Sequence, residues 1–413
     1  MIKINSQEKI QNLYIYLFFL VSLIVSSYFG ENSSGGAKLD NIITRQFVDG
    51  FSISFIEGIN RFINSGQVQS PIFYFLISLF EKYANQLIIS GSYVLISSLI
   101  PILFYIILKK KFKQADKKKL FFFSLIIYFS PYFRSSASWV TTDNLATLFF
   151  ALSISKYLSF QKHKKTKEYL ICLTYLIIAA YIRQYYAIFF LFYLIKLTKI
   201  KNFKKILFII LYSLLLFLPF LIYHYLFILQ NILNANIEKS SSLPLNPNLL
   251  NNILIFLSLY LFYTIPIYVN QVNTKQLKIN NNLSFYLISL VIFLLIAFNN
   301  PIISEKYGGG IFYKISVIIN FKYLFYLTSF FGYILLSKNF NKNNAIVYLC
   351  IIFAFPFAII YQKYFDPLLI LSIIGLTKNG EINKLIDNEK INLKFIFFYY
   401  FSFLVVSNLY YLK

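Results

Sequence analysis

Of the 39 basic residues in this chain only four are arginines: Arg45, Arg61, Arg134 and Arg183. A guanidinium is a planar fork that grips a carboxylate or phosphate at two points, whereas lysine is a mobile point charge. Arg183 stands in Tyr181-Ile182-Arg183-Gln184-Tyr185-Tyr186, between two apolar runs. An arginine in such surroundings is costly unless it meets a partner or a ligand. Arg134 opens a polar stretch, Phe133–Asn144, that also holds the only tryptophan, Trp139, and the acid Asp143. Thr141 or Thr142 there could cap a following helix, leaving Asp143 in its first turn, where the helix dipole favours a negative charge. Asp40 follows the flexible Ser34-Gly35-Gly36, and Asp49 lies nine residues on. A carboxylate at the edge of an apolar region can serve as a general base. Lys363, in Tyr361-Gln362-Lys363-Tyr364-Phe365-Asp366-Pro367, is as readily explained by snorkelling as by chemistry. Glu305-Lys306-Tyr307-Gly308-Gly309-Gly310 reads as a flexible loop.

Other chemistries find little support. The two histidines, His163 and His224, fall on opposite faces of the expected topology and offer no metal site. Cys172 and Cys350 lie inside apolar runs without CxxC spacing and read as packing residues. There is no P-loop, no GxGxxG and no hydrolase elbow.

The elements that must position these residues follow from composition. The chain is 58% hydrophobic and 13% charged, with mean hydropathy +0.64. Soluble domains carry about 25% charged residues, so a water-exposed surface of this size could not be covered. The expected fold is all-α: a polytopic transmembrane bundle of about 11–13 spans forming a single domain over 1–413. The apolar runs are 13–29, 87–108, 120–133, 144–160, 169–183, 185–197, 206–228, 251–269, 283–298, 315–336, 345–362, 367–377 and 395–412. Several are too short to cross a bilayer alone and must be sheltered by protein or border a cavity.

Formal charge is +24, but the lysines sit in short runs between spans, the pattern of cytoplasmic anchors, so nucleic acid is not the implied partner. With the N-terminus inside and the first helix retained, KKKFKQADKKK, QKHKKTKE and KIKNFKK face the cytoplasm. All four arginines and most acids, including Asp40, Asp49, Glu57, Asp143, Glu238, Glu305 and Asp366, face outward. The long connection 30–86 is expected to carry one amphipathic surface helix through Phe47, Phe51, Phe55, Ile59, Phe62 and Ile63, then a second beginning at Ser70-Pro71. Lys322 falls some seven residues into the expected 315–336 span, either aimed into a cavity or marking a later start.

These features together resemble the GT-C superfamily of membrane glycosyltransferases. The resemblance rests on a retained first helix, a long outer loop with an early Asp, and Ser70-Pro71-Ile72-Phe73-Tyr74-Phe75-Leu76, which is similar to an aromatic Pro-x-x-Tyr-Tyr-Leu type segment. Ile182-Arg183-Gln184 is similar to an Arg-Gln motif of the dolichyl-phosphate-glucose glucosyltransferases. Gln362–Leu368 is similar to an Arg-Tyr-x-x-Pro-Leu type turn, with Lys363 where Arg is more usual. Paired acids common in the first loop of the superfamily are missing around Asp40. The resemblance implies an inverting transfer of sugar from a polyprenyl-phosphate donor to a glycan, lipid or protein acceptor at the extracytoplasmic face of a membrane, a bacterial inner membrane for preference. It implies Asp40 as base, with Asp49 as understudy, and Arg183 on the phosphate with Lys363 supporting. Gln184, Tyr185, Arg134 and Asp143 would complete the substrate site, and Asp143 could help hold a divalent cation if the reaction uses one. A lipid-linked-sugar flippase and an oligosaccharide polymerase or ligase are the competing readings. Charges clustered at one face and the absence of an internal repeat count against transport. A polymerase would be expected to place its large outer loop late in the chain.

Overall fold

The computed structural model describes residues 6–65, 69–197, 203–233, 249–272, 283–299, 308–355, 360–378, 380–387 and 391–411. Glu238, Glu305–Tyr307 and the side chain of His224 lie outside the described residues. The chain is all-helical: among the described residues there is no strand, only an isolated bridge between Gly309 and Tyr361. It packs as two units, the first from 1–111, 116–242 and 400–413, the second from 112–115 and 243–399.

The first unit holds α1 (Ser6–Tyr28), α2 (Ala37–Ile53), α3 (Phe55–Asn64), α4 (Ile72–Glu81), α5 (Gln86–Lys111), α6 (Lys117–Ser124), α7 (Pro131–Trp139), α8 (Thr142–His163), α9 (Thr166–Ile182), α10 (Phe189–Leu197) and α11 (Phe203–Leu233). The second holds α12 (Leu249–Val272), α13 (Leu283–Asn299), α14 (Ile311–Ile318), α15 (Tyr323–Lys338), α16 (Lys342–Phe353), α17 (Leu368–Leu376) and α18 (Glu381–Asp387). A last helix, α19 (Leu393–Tyr411), begins among the residues of the second unit and gives those from Tyr400 onward to the first. Among the described residues four helices are long and apolar enough to cross a membrane: Ile10–Tyr28, Gln86–Lys111, Leu250–Val269 and Leu393–Tyr411. The first and last are only 11% and 17% buried within the chain, whereas the third is 78% buried and sheltered by its neighbours.

Three expected elements are divided. The single surface helix through Phe47–Ile63 is two helices, α2 and α3, folded back on each other. At Ser54 the backbone is extended and the hydroxyl accepts from the Glu57 amide at 3.1 Å, capping α3 instead of continuing α2. The fold-back needs two glycines. A Cβ on Gly50 would lie 2.8 Å from Arg61 Cδ, and one on Gly58 would run into the Phe51 ring. Of the six expected positions Phe47, Phe51 and Phe62 face inward against Tyr74 and Phe75 of α4, whereas Ile59 and Ile63 are partly buried and Phe55 is exposed.

The run 120–133 is likewise α6, a 3-10 turn over Leu125–Phe129, and then α7. Ser130 takes the Phe133 amide at 3.0 Å and Pro131 starts the new helix without an N–H to satisfy. The run 315–336 breaks between α14 and α15. Asn320 adopts φ +52° there, Phe321 N–H returns to the Ser316 carbonyl at 2.8 Å, and Lys322 immediately precedes α15. Lys322 therefore marks a late start, its ammonium 5.4 Å from the Tyr323 ring centre.

Two kinds of packing hold the units. In the second, α15 lies so close to α12 that a Cβ on Gly332 would strike the Leu257 carbonyl oxygen, and Ser329 donates to the Leu254 carbonyl at 2.9 Å. Small residues three apart thus let two helices meet backbone to backbone, a device suited to apolar surroundings. In the first unit charge sorts by end. Near the C-terminal end of α8, Lys110 Nζ donates to the Ser155 carbonyl and to the Ser155 and Ser159 hydroxyls at 2.8–2.9 Å, and Lys156 pairs with Glu168 at 3.3 Å. The N-terminal end of α8 and the C-terminal end of α9 carry Asp143 and Arg183.

Candidate functional site

The site begins with two helix ends. Thr141 stands at the N-cap of α8 in an extended conformation, and its hydroxyl turns to Ser136 at 2.6 Å instead of capping the helix. Tyr93 of α5 takes part of that role, accepting from the Leu145 amide at 3.3 Å while donating to the Thr141 carbonyl. Asp143 is left in the first turn, facing the positive end of α8. At the other end, α9 stops where Arg183 becomes extended (φ −138°, ψ 107°), and a 3-10 turn over Gln184–Ile188 follows. That break turns the Arg183 side chain onto Asp143: Nε lies 3.0 Å from Oδ1, and NH2 donates to Oδ2 at 3.0 Å.

The other face of the guanidinium is met from the long first connection. NH1 donates to Gln69 Oε1 at 3.1 Å, and Gln69 Nε2 in turn donates to the Tyr74 hydroxyl. Tyr74 is 2% exposed, seated against Phe47, Phe62 and Phe73. Burial pushes its phenol up, so it acts as a fixed hydrogen-bonding group and not as a base. Asp40, in the first turn of α2, belongs to the same electrostatic neighbourhood: its charge acts on both Arg183 and Tyr74. Tyr185 is buried beside Arg183, its ring centre 4.7 Å from that of Tyr186. Tyr186 meets Thr147 of α8 at 2.9 Å, tying the turn after Arg183 to the helix that carries Asp143. Gln184 follows in the same turn, partly buried, with its carbonyl oxygen unpaired.

Asp40, Asp143, Arg183, Gln184 and Tyr185 are thus brought together in the first unit. The remaining sequence-predicted residues fall elsewhere. Asp49 is exposed on α2, one turn beyond Arg45, with which it interacts electrostatically. Arg134 of α7 is 8% exposed and bound by Glu31. Nε reaches Oε1 and Oε2 at 3.0 and 2.9 Å, NH2 lies 2.8 Å from Oε2, and NH1 donates to the Ser22 hydroxyl at 3.1 Å. Glu31 is pulled in two directions. Burial favours its neutral form, but the hydrogen bond and charge of Arg134, with Ser26 and Ser33, outweigh that and hold the carboxyl below its usual range. Trp139 seals the arrangement by donating its indole N–H to the Glu31 carbonyl at 2.9 Å. Lys363 belongs to the second unit, its ammonium 5.4 and 5.7 Å from the Tyr361 and Tyr364 ring centres. There Gln362 accepts from the Ile311 amide at 2.9 Å and Asp366 is buried.

All four arginines have a carboxylate partner: Arg45 with Glu81, Arg61 with Glu57, Arg134 with Glu31, and Arg183 with Asp143. Only the last pair also gathers a buried tyrosine, a glutamine and a second acid. Gln69, Tyr74, Tyr93 and Glu31 were not singled out by sequence reasoning. Tyr74 lay within the quoted Ser70–Leu76 segment, but nothing local marked its hydroxyl as the contact. Among the described residues no group of three or more His, Cys, Asp or Glu could hold a metal ion. No family model matches the chain, and neither a curated protein nor a solved structure does.

Proposed function

We propose that the chain is an integral membrane glycosyltransferase that moves a sugar from a polyprenyl-phosphate donor to an acceptor at the extracytoplasmic face, with inversion. The observation that carries this reading is the grouping of Asp40, Asp143 and Arg183 around Gln69 and the buried Tyr74. Two acids and one guanidinium, at the ends of apolar helices, match a reaction that removes a proton at one point and gathers negative charge at another. Asp40 takes the proton of the acceptor hydroxyl as its oxygen attacks the anomeric carbon. The bond from that carbon to the donor's phosphate oxygen breaks, and the electron pair leaves on the phosphate. Arg183 stabilises the oxygen on which charge develops. Asp143 and Gln69 hold the guanidinium in place, so little reorganisation is needed when the phosphate arrives. Asp143 also keeps Arg183 neutralised in the resting protein, and the donor phosphate competes for the fork.

The test is transfer from radiolabelled polyprenyl-phosphate sugars in membranes containing the wild-type chain, Asp40→Asn or Arg183→Ala. The wild type should transfer, and Asp40→Asn should lose about 10²–10⁴-fold, the range of general-base catalysis, at unchanged expression. Retained activity in Asp40→Asn would move the base to Asp49. Label that crosses the bilayer without being transferred would replace the reading with a flippase.

A further inference from the structure

Away from Arg183 the first unit contains a cavity of about 420 Å³. Its wall comes from α1 (Phe18, Phe19, Ser22), the 3-10 turn (Tyr128, Phe129), α7 (Arg134) and α19, including Leu404, Val405 and Asn408. The size and the lining, mostly apolar with a few polar groups drawn together, are those of small-molecule sites. The polar groups are unusual in one respect. A guanidinium has five N–H donors. Here Nε–H and one NH2 proton go to Glu31, the other NH2 proton to the Ser22 carbonyl, and one NH1 proton to the Ser22 hydroxyl. A single NH1 proton is left, and the charge is cancelled by a carboxylate held in its ionised form. With four of its five donors engaged, Arg134 has no pair of free N–H groups with which to hold a phosphate in a fork. An uncharged acceptor suits the remaining donor. Asn408 adds an amide whose Nδ2 already donates to the Leu404 carbonyl at 3.1 Å, leaving its second proton and its oxygen. Apolar walls of α1 and α19 run on from the cavity to exposed apolar surface, with Phe18, Phe401 and Leu409 all more than half exposed.

We propose that this cavity holds one acyl chain of a bilayer glycerolipid, its ester carbonyl turned to Arg134 and Asn408. The site rests on the membrane reading of the chain and is independent of glycosyl transfer. The bound lipid fills the gap between the first and last helices and stabilises their packing.

Native mass spectrometry of the full chain, extracted from membranes in mild detergent, tests this. Delipidated protein is offered phosphatidylglycerol or polyprenyl phosphate, for wild type, Val405→Trp, Leu404→Phe and Arg183→Ala. The wild type should keep one phosphatidylglycerol per chain. Both cavity-filling variants should reduce that occupancy at least about tenfold, a difference of about 1.4 kcal/mol, while eluting as monodisperse protein, and Arg183→Ala should leave it unchanged. Retention of polyprenyl phosphate in place of phosphatidylglycerol, lost on filling the cavity, would overturn the proposal and make the cavity a donor tail channel. Undiminished phosphatidylglycerol in both filled variants, or none in the wild type, would also overturn it. A chain recovered from the soluble fraction would overturn the membrane reading itself.

Discussion

At the scale of single residues, Arg183 and Glu31 carry the sharpest consequences. Arg183→Lys keeps a positive charge but cannot reach Asp143 and Gln69 together, because the three contacts depend on a planar fork. A charge-assisted hydrogen bond is worth about 1.5–3 kcal/mol, so transfer by this variant should fall roughly 10–100-fold, measured as kcat/KM. Glu31 makes a prediction in pH. Its folded carboxyl is depressed below its unfolded value, so the unfolded chain takes up the proton first as pH falls. The stabilisation is fully present above that value and is lost as pH falls through the lower, folded value. Thermal unfolding from pH 7 down to pH 3 should show wild type losing more stability than Glu31→Gln in the acid limb, although Glu31→Gln starts lower because it strands a buried Arg134. Parallel curves would remove Glu31 from that role. How these residues read in the sequence differs for a physical reason. Asp143 was legible because it follows a threonine pair able to begin a helix, and Arg183 because it stands between two apolar runs. Gln69 and Glu31 were not, since their partners lie 114 and 103 residues away and only the assembled helices bring them together.

At the scale of elements, helix type was legible throughout and helix continuity was not. Apolar periodicity runs unbroken through Ser54, Ser130 and Asn320, while a side-chain cap or a positive φ stops the backbone there. Hydropathy averages over such points, so one expected helix became two at each. The α12–α15 contact is the element most open to a direct test. Gly332→Ala places a methyl group against the Leu257 carbonyl, with backbone on both sides and no side chain able to yield. Overpacking of this kind costs about 1–3 kcal/mol. The variant should unfold at a lower temperature than wild type by differential scanning fluorimetry, whereas Gly36→Ala, which meets nothing within 4 Å, should not. Equal shifts in the two would mean that α12 and α15 do not pack backbone to backbone.

At the scale of the whole molecule the expectation is a topology. In the first unit Lys110 and Lys156 are held near one end of α8 and Arg183 at the other, and the expected orientation puts the lysine-rich end inside. Both native cysteines are buried, Cys172 at 0% and Cys350 at 4% exposure, so background labelling will be low. A cysteine introduced at Lys164 should react with an impermeant maleimide only after the membrane is opened, and one at Lys38 should react in intact cells. The reverse pattern would invert the topology and place the Arg183 site inside. Composition made the all-helical fold legible. The division into two packed units was not, because the polar stretch 234–248 that holds the boundary reads like any other connection between apolar runs.

Trp139 is the only indole among 35 tyrosines and 48 phenylalanines, and it lies against Gly30 while bonded to the backbone of Glu31. Light absorbed at the red edge of the protein spectrum is therefore emitted from one known place, the joint between the first helix and α7. The molecule carries its own optical gauge of that joint, which reads the ionisation of Glu31 and any opening of the first helix without an added label.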